Sequence, residues 1–412
     1  MMLATIYFPP YTKNGRRDNA VKIVREWTGK EIRYPNETDK INHFPSNPER
    51  QCFLLDKDNR VVMVSNPSLN SGIWTLLLSI LLMSCSRTFS DPLKHFERSP
   101  VVKITPSKII NLEEFEILQP FHIIQIDDSM FVIQDLKSEK IFNLINLSSK
   151  KVISGVNKGQ GPNEVNSPSC ILFRNHKIFI WDAIPKKMSE LVHSSDSNLT
   201  IKEFFTVDTE TPILFFINLL DSTFIANGIF EDFWLAEMNK EGEIISTIDY
   251  PIRDETKDLP KILLPALFSS VKMANSPDNK KVVVVTGSQE IISLINRTDS
   301  GIKEYKQIKY LPPKISITPT GIAAFTSDNT KGFGGVDCDD QYIYTIYSGK
   351  TYNTHPTSAN YCEHLLVYDW DGNPVKYYKL DIPMWSMIFD RKKNSIYGIA
   401  YNPEGVFVEY QL

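Results

Sequence analysis

Residues 101–412 predict an all-β fold, a six-bladed β-propeller whose last blade is completed by an N-terminal strand. Three observations carry this. Short apolar runs punctuated by Asp, Asn, Gly and Pro replace helical periodicity throughout the region. A unit also recurs, made of an Asp/Asn turn, an alternating apolar strand, a break and a further strand. Its turns fall at Asp128, Asn175, Asp221, Asn279, Asp340 and Asn394, with gaps of 47, 46, 58, 61 and 54 residues. A spacing near 50 with about four strands per unit belongs to propellers. Finally, the last unit is one strand short: after Asn394 only Ser395 to Ala400 and Gly405 to Gln411 remain, with Met384 to Phe389 ahead of them. Val101 to Ile110 (VVKITPSKII) is a spare strand at the other end. Pairing the two would close the ring and leave no edge for aggregation. A two-domain sandwich is the rival architecture.

The elements follow in chain order. The repeated turns open DSMFVIQD, NHKIFIWD, DSTFIANG, NKKVVVVTG, DQYIYTIYSG and NSIYGIAY, each a strand by alternation and β-branched or aromatic content. Further strands are expected at Lys140 to Asn146, Phe233 to Met238, Glu290 to Asn296 and Leu365 to Tyr368. Turns such as Lys240-Glu241-Gly242 and Trp370-Asp371-Gly372-Asn373 lead to outer strands. The uneven gaps call for long connections in some blades.

Composition narrows the function classes. With 17 Tyr, 23 Phe and 6 Trp in 412 residues, and 42% hydrophobic content, the chain is neither disordered nor fibrous. A net charge of −4 gives no electrostatic case for nucleic acid. The five cysteines include no CxxC, so neither a disulfide framework nor a zinc site is expected. No cofactor and no metal is implied.

Ahead of the propeller lie three other pieces. Residues 73–85, IWTLLLSILLMSC, hold an eleven-residue apolar run, Ile73 to Met83. That is too short to cross ~30 Å of hydrocarbon and suits the h-region of a secretory signal. It ends in Leu82-Met83-Ser84-Cys85, which resembles the bacterial lipobox, and Cys85 is the lipidation candidate. The alternative is a buried strand or helix ending in an inert Cys. Residues 86–100 read as a polar tether. Residues 1–72 form a small α/β fragment, with a helix over Asp18 to Trp27 and a hairpin over Gln51 to Ser65. REWTGKEIRYP and FLLDKDNRVVMVSNP within it resemble thioredoxin-like lipoproteins. The segment that carries their CxxC is missing here, and the lone Cys52 cannot do dithiol exchange. This fragment is read as a truncated relic, not an oxidoreductase.

Three runs carry a second resemblance: VNKGQGPNEVNSP (Val156 to Pro168), DQYIYTIYSGK (Asp340 to Lys350) and LLVYDWDGNPVKYYKLD (Leu365 to Asp381). Together they are similar to the TolB-like six-bladed propeller lipoproteins of Bacteroidetes, over most of residues 85–412. The resemblance implies a lipid-anchored propeller and no assigned reaction.

Candidate ligand contacts come from three loops. In KGQGPNE, Lys158, Gln160 and Glu164 flank Gly159, Gly161 and Pro162. No GK[ST] follows, so a P-loop is excluded. A loop over the channel competes with an inter-blade turn needing positive φ at a glycine. Tyr347 and Lys350 in TIYSGK would present a stacking face and a cation at a channel mouth, or Ser348-Gly349 would be an ordinary turn with a solvated Lys. Phe333, set between glycines just before an innermost strand, would lie over the opening or pack down. The pairs Asp127-Asp128 and Asp339-Asp340 read as turn residues before calcium ligands or paired carboxylates. His355, Cys362 and His364 match no zinc template.

No GxSxG, HExxH or recognisable Cys/His context is present. The expectation is a lipid-anchored, periplasm-facing module of the cell envelope that binds peptide, glycan or a partner protein without catalysis. Two alternatives stand beside it. One is a propeller hydrolase or lyase on glycan or peptide, with carboxylates from several blades. The other is an assembly protein of an envelope complex. The membrane would be met through the anchor, and nucleic acid is not expected.

Overall fold

The structure is a computed structural model that describes residues 2–6, 51–55, 61–65 and 91–412, apart from 194–197, 209–213 and 320. The chain divides into two units, Met1–Arg87 and Thr88–Leu412. In the first, β1 (Met2–Ile6), β2 (Gln51–Leu55) and β3 (Val61–Ser65) form an antiparallel sheet in that order. The hairpin expected from the sequence is the β2–β3 pair, with Cys52 opposite Ser65. The expected helix over 18–27, the apolar run 73–83 and Cys85 lie outside the described residues.

The second unit is built from four-stranded antiparallel blades. Blade 1 is β6 (Pro120–Gln125), β7 (Met130–Asp135), β8 (Lys140–Asn146) and β9 (Lys151–Lys158). After the two-residue β10 (Glu164–Val165), blade 2 runs β11 (Pro168–Arg174), β12 (Lys177–Asp182), β13 (Lys187–His193) and β14 (Leu199–Thr206). Blade 3 is β15 (Leu214–Leu219), β16 (Phe224–Gly228), β17 (Leu235–Met238) and β18 (Ile244–Ile248). Blade 4 is β19 (Val271–Asn275), β20 (Lys281–Thr286), β21 (Ile291–Thr298) and β22 (Gly301–Lys309).

A small hairpin, β23 (Ile315–Ile317) and β24 (Ala323–Phe325), precedes blade 5. That blade comprises β25 (Thr330–Cys338), β26 (Tyr342–Thr351), β27 (Cys362–Asp369) and the first part of β28 (Pro374–Asp390). The 17-residue β28 leaves blade 5 as its fourth strand and enters blade 6 as the first, pairing there with β29 (Ser395–Tyr401), which pairs with β30 (Gly405–Gln411).

Closure follows the expected logic with one correction. The segment 101–110 is not one strand but two, β4 (Val101–Ile104) and β5 (Lys108–Asn111). Pro106 between them has no N–H to give a ladder. Only β5 completes blade 6, antiparallel to β30 with Ile110 opposite Phe407. β4 instead runs parallel to β28 in blade 5, Val101 opposite Tyr377, as a fifth strand.

The core is a ring of interfaces between neighbouring blades. Among the described residues, six buried apolar clusters occur, one between each successive pair of blades. The sixth joins Tyr397, Ile399 and Phe407 of blade 6 to Ile123, Phe131 and Ile133 of blade 1. Large rings also reach across. Trp181 of blade 2 donates Nε1–H to Leu214 O of blade 3 at 2.8 Å, and Trp234 of blade 3 donates to Phe268 O ahead of blade 4 at 3.1 Å. Buried indoles need such a partner.

Two strand-end aspartates, the last residues of DSMFVIQD and NHKIFIWD, pin the connections between blades. Asp135 accepts from Leu118 N and Gln119 N at 2.8 and 3.0 Å, and Asp182 from Asn166 N and Ser167 N, both at 2.7 Å.

The expected tether 86–100 is in part folded. Pro92–His95 forms one turn of helix, α1, with Asp91 as N-cap accepting from Leu93 N at 2.8 Å. Asp followed by Pro at the first helical position is a helix-start signal. It places Phe96, 1% exposed, in the interface of blades 4 and 5 against Tyr368.

Long connections gather on one face. Residues 249–270, which include α2 (Leu264–Leu267), residues 310–329 and residues 352–361 lie at the end where the innermost strands begin. The other face carries the six repeated turns, where Asp127 and Asp339 accept backbone N–H groups as turn residues.

Candidate functional site: the central channel

The first strand of every blade runs along the propeller axis, so its inward residues face a space that neighbouring blades cannot fill. β6, β11, β15, β19, β25 and the second part of β28 neighbour one another around the ring, β28 returning to β6. Together they line a cavity of about 510 Å³. Among the described lining residues its charge is one-sided: Arg174, Lys272, Lys331 and Arg391 against one carboxylate, Asp337.

Toward the face with the long connections, His122 of β6 and Lys272 of β19 meet across the channel, Nε2 to Nζ at 3.3 Å. The ring of His122 is fixed from behind. Gln134 Nε2 donates to Pro168 O at 3.3 Å, which turns Gln134 Oε1 toward His122 Nδ1 at 2.9 Å. An oxygen there requires the proton on Nδ1, so the Nε2 lone pair faces Lys272. Burial, then the charge of Lys272, lowers His122 to about 3, against the bond from Gln134. Burial likewise lowers Lys272. The ammonium also lies 5.8 Å from the Phe216 ring centroid. Cys170 lines the same region, and burial pushes its thiol up to about 12, so it is no thiolate at neutral pH.

Toward the opposite face lies a second charged group. Both oxygens of Asp337 accept backbone N–H groups, from Cys338 and Phe389 at 2.8 Å. Burial still raises its carboxyl, opposed by those bonds and by the charges of Arg391 and Arg174. Arg391 holds Cys338 O through Nε and Nη2 at 3.1 and 2.8 Å. Arg174 gives Nη1–H to Phe173 O at 3.1 Å, while its buried Nε–H has no hydrogen-bond partner.

Aromatic rings edge the long-connection end. Phe121 lies 5.5 Å from Trp385 and Tyr361 6.0 Å from Trp385, centroid to centroid, and all three are half-buried.

The residues singled out in the sequence are dispersed by the fold. Lys158 ends β9, Gln160 lies in the connection after it and Glu164 opens β10, and none is among the channel's lining residues. Glu164 folds back to accept from Gly161 N at 2.7 Å, and its carboxylate occupies the space a Cβ on Gly159 would take. Positive φ falls on Val156 and Asn163, not on the glycines of this loop. Phe333 does line the channel but belongs to β25 itself, the innermost strand, and packs down at 2% exposure. Tyr347 is no channel-mouth face: it is 1% exposed, in the blade 4–5 core beside Phe333. Lys350 faces Tyr361 O at 3.3 Å and Glu363 at 3.6 Å. His355, Cys362 and His364 bond separately to Thr354, Asn360 O and Tyr377.

The channel residues His122, Arg174, Lys272 and Asp337 escaped the sequence reading, because each inner strand precedes the repeated turn rather than following it. The available signal was a polar or charged residue on a strand just ahead of each turn, as in PFHIIQ, PSCILFR and VKMAN.

The model of a family described as TolB-like 6-blade propeller-like matches residues 99–391. No curated protein matches the chain. Among solved structures, a luciferin-regenerating enzyme is similar at TM-score 0.45 and 10% identity, with 74% of this chain and 95% of that one covered. A calcium-binding protein, regucalcin, from Agrobacterium tumefaciens gives TM-score 0.43 and 13% identity, covering 75% and 95%. A gluconolactonase from Xanthomonas campestris gives TM-score 0.42 and 8% identity, covering 73% and 89%. None of these likenesses bears on the ligand of this channel.

Proposed function

We propose, from the premise that the chain belongs to the TolB-like 6-blade propeller-like family, that it is a non-catalytic binding module holding an acid-bearing ligand, the end of a peptide or glycan, in its channel. The observation that carries this is the lining, four cationic side chains facing one carboxylate behind an aromatic edge. Such a concave site with a few converging polar groups suits ligand capture, and Arg174 keeps a buried donor unpaired. Glycoside hydrolysis would ask for two carboxylates about 5–5.5 or 6.5–9.5 Å apart. The described lining offers only Asp337, already bonded to backbone through both oxygens.

Calorimetric titration with matched acidic and neutral oligosaccharides and peptides tests the reading. Acidic members are expected to bind, with affinity falling as salt rises, and Arg174→Met is expected to weaken them about tenfold or more. Equal binding of neutral and acidic members would overturn it.

A docking role has one observation in its favour. Ile262, Ile317 and Ile322, each more than half exposed, sit on the adjoining connections 249–270 and 310–329. An assembly protein would use such a surface.

The same reading places the module at the cell envelope, periplasm-facing, with Cys85 carrying the acyl chains. Two or more chains, at roughly 0.8 kcal/mol per buried methylene, would anchor it stably. Growth with a fatty-acid analogue is expected to label the wild type and not Cys85→Ala; label on both would end the anchoring claim.

A further inference from the structure

We propose that Lys272 captures its ligand covalently and reversibly, as an imine with a carbonyl-bearing carboxylic acid. The proposal rests on the reading of the channel as a ligand site and names the ligand class. Four observations converge on the nitrogen. Lys272 lines the cavity, so its Nζ is reachable from the space where a ligand would sit. No carboxylate pairs with it among the described residues; around it lie the His122 imidazole at 3.3 Å, the Phe216 ring and the Cys170 thiol. The imidazole presents a lone pair, because Pro168 O orients the Gln134 amide and that amide holds the proton on Nδ1. Burial favours the uncharged amine, the form with a free electron pair. The other cations of the lining supply charge for the acid group.

The step balances without oxidant or reductant. The Nζ lone pair of the neutral amine forms a bond to the carbonyl carbon, and the C=O π pair moves onto oxygen. His122 Nε2 accepts one of the two nitrogen protons and returns it to that oxygen, giving a carbinolamine. The hydroxyl then leaves as water, taking the C–O pair and a proton relayed by the same imidazole. The nitrogen pair forms C=N as the second proton departs, so the products are one imine and one water. Hydrolysis reverses the sequence and releases the ligand unchanged, which is binding rather than turnover.

The full chain, incubated with pyruvate and sodium cyanoborohydride, traps any imine as a stable secondary amine that intact mass and peptide mapping locate. The expected result is a single dominant adduct on the peptide containing Lys272, about tenfold or more above any other lysine, since burial there favours the uncharged amine beside the His122 imidazole. Lys272→Arg is expected to lose that adduct, and His122→Gln to slow its formation about tenfold while leaving the fold intact by circular dichroism. Should Lys272→Arg fail to fold, the wild-type map decides alone. Adducts spread evenly over the lysines would overturn the imine. Lactate, the same acid without the carbonyl, then separates the two claims by calorimetry. Even labelling with saturable lactate binding overturns the imine alone, and even labelling without lactate binding overturns the channel reading with it.

Discussion

A chain beginning at Leu112 is expected to lose cooperative folding, whereas one beginning at Asp91 keeps it. The shorter chain lacks α1, β4 and β5. Phe96, 1% exposed against Tyr368 and Tyr377, goes with them, and a core Phe contributes about 3–5 kcal/mol. Ile104 and Ile110, each packed at the edge of an inter-blade cluster, add about 1–3 kcal/mol apiece. The ladders of β4 on β28 and β5 on β30 contribute about 1 kcal/mol per net hydrogen bond. The sum is on the order of 10 kcal/mol, comparable with the whole stability of an ordinary domain. The loss also bares the backbone of β30, a template for intermolecular pairing. Denaturant unfolding and size-exclusion chromatography of the two chains check this. A sharp transition and a monomer peak for the shorter one would contradict it.

Glu290→Gln is expected to stabilise the protein increasingly as pH rises from about 5 to 8. Glu290 is 1% exposed behind the channel wall, where a Cβ on Gly332 would come within 2.7 Å of its Cγ. Burial pushes its carboxyl up to about 8, helped by the charge of Asp91 and opposed by a backbone bond from Leu311, by Arg253 and by Tyr347. Arg253 makes no ion pair with the carboxylate; its fork is spent on the backbone carbonyls of Gln289, Glu290, Tyr310 and Leu311. Oε1 has no hydrogen-bond partner. The folded state thus holds a proton that the unfolded chain releases near 4.5. Between those values the native state binds more protons, so wild-type stability falls as pH rises and levels off above about 8. The amide cannot ionise and escapes that loss, which is on the order of 3 kcal/mol. Urea titrations at pH 5 and pH 8 measure it. A stability difference between variant and wild type that is the same at both values would refute the assignment.

Much of the wheel could be read from turn chemistry. Asp128, Asn175, Asp221, Asn279, Asp340 and Asn394 each lie between the first and second strands of a blade. The second strands are buried on both faces and so read plainly as VVVV or YIYTIY. The first strands were obscured because one side of each faces a polar channel. His122, Asn218 and Lys272 interrupt the apolar pattern that a sandwiched strand would show. Phe333 therefore reads as preceding an innermost strand, and it lies within one.

The site itself had no local signature. His122 and Lys272 are 150 residues apart, and only ring closure brings their nitrogens together. The glycines of KGQGPNE suit a ligand loop and an inter-blade turn alike. Its glycine at 159 makes room for Glu164, whose carboxylate accepts from Gly161 N. Strand alternation does not say which blade interface a ring enters, and Tyr347 packs into that of blades 4 and 5.

The closed wheel is tested most directly by a crosslink across the seam. β5 places Lys108 opposite Glu409 on β30. In the full chain, Lys108→Cys with Glu409→Cys is expected to form an intramolecular disulfide under mild oxidation. Lys108→Cys with Gln411→Cys, out of register by two positions, is expected to remain reduced. A disulfide that forms only between molecules, or only in the out-of-register pair, would show that the ring is not closed by this strand.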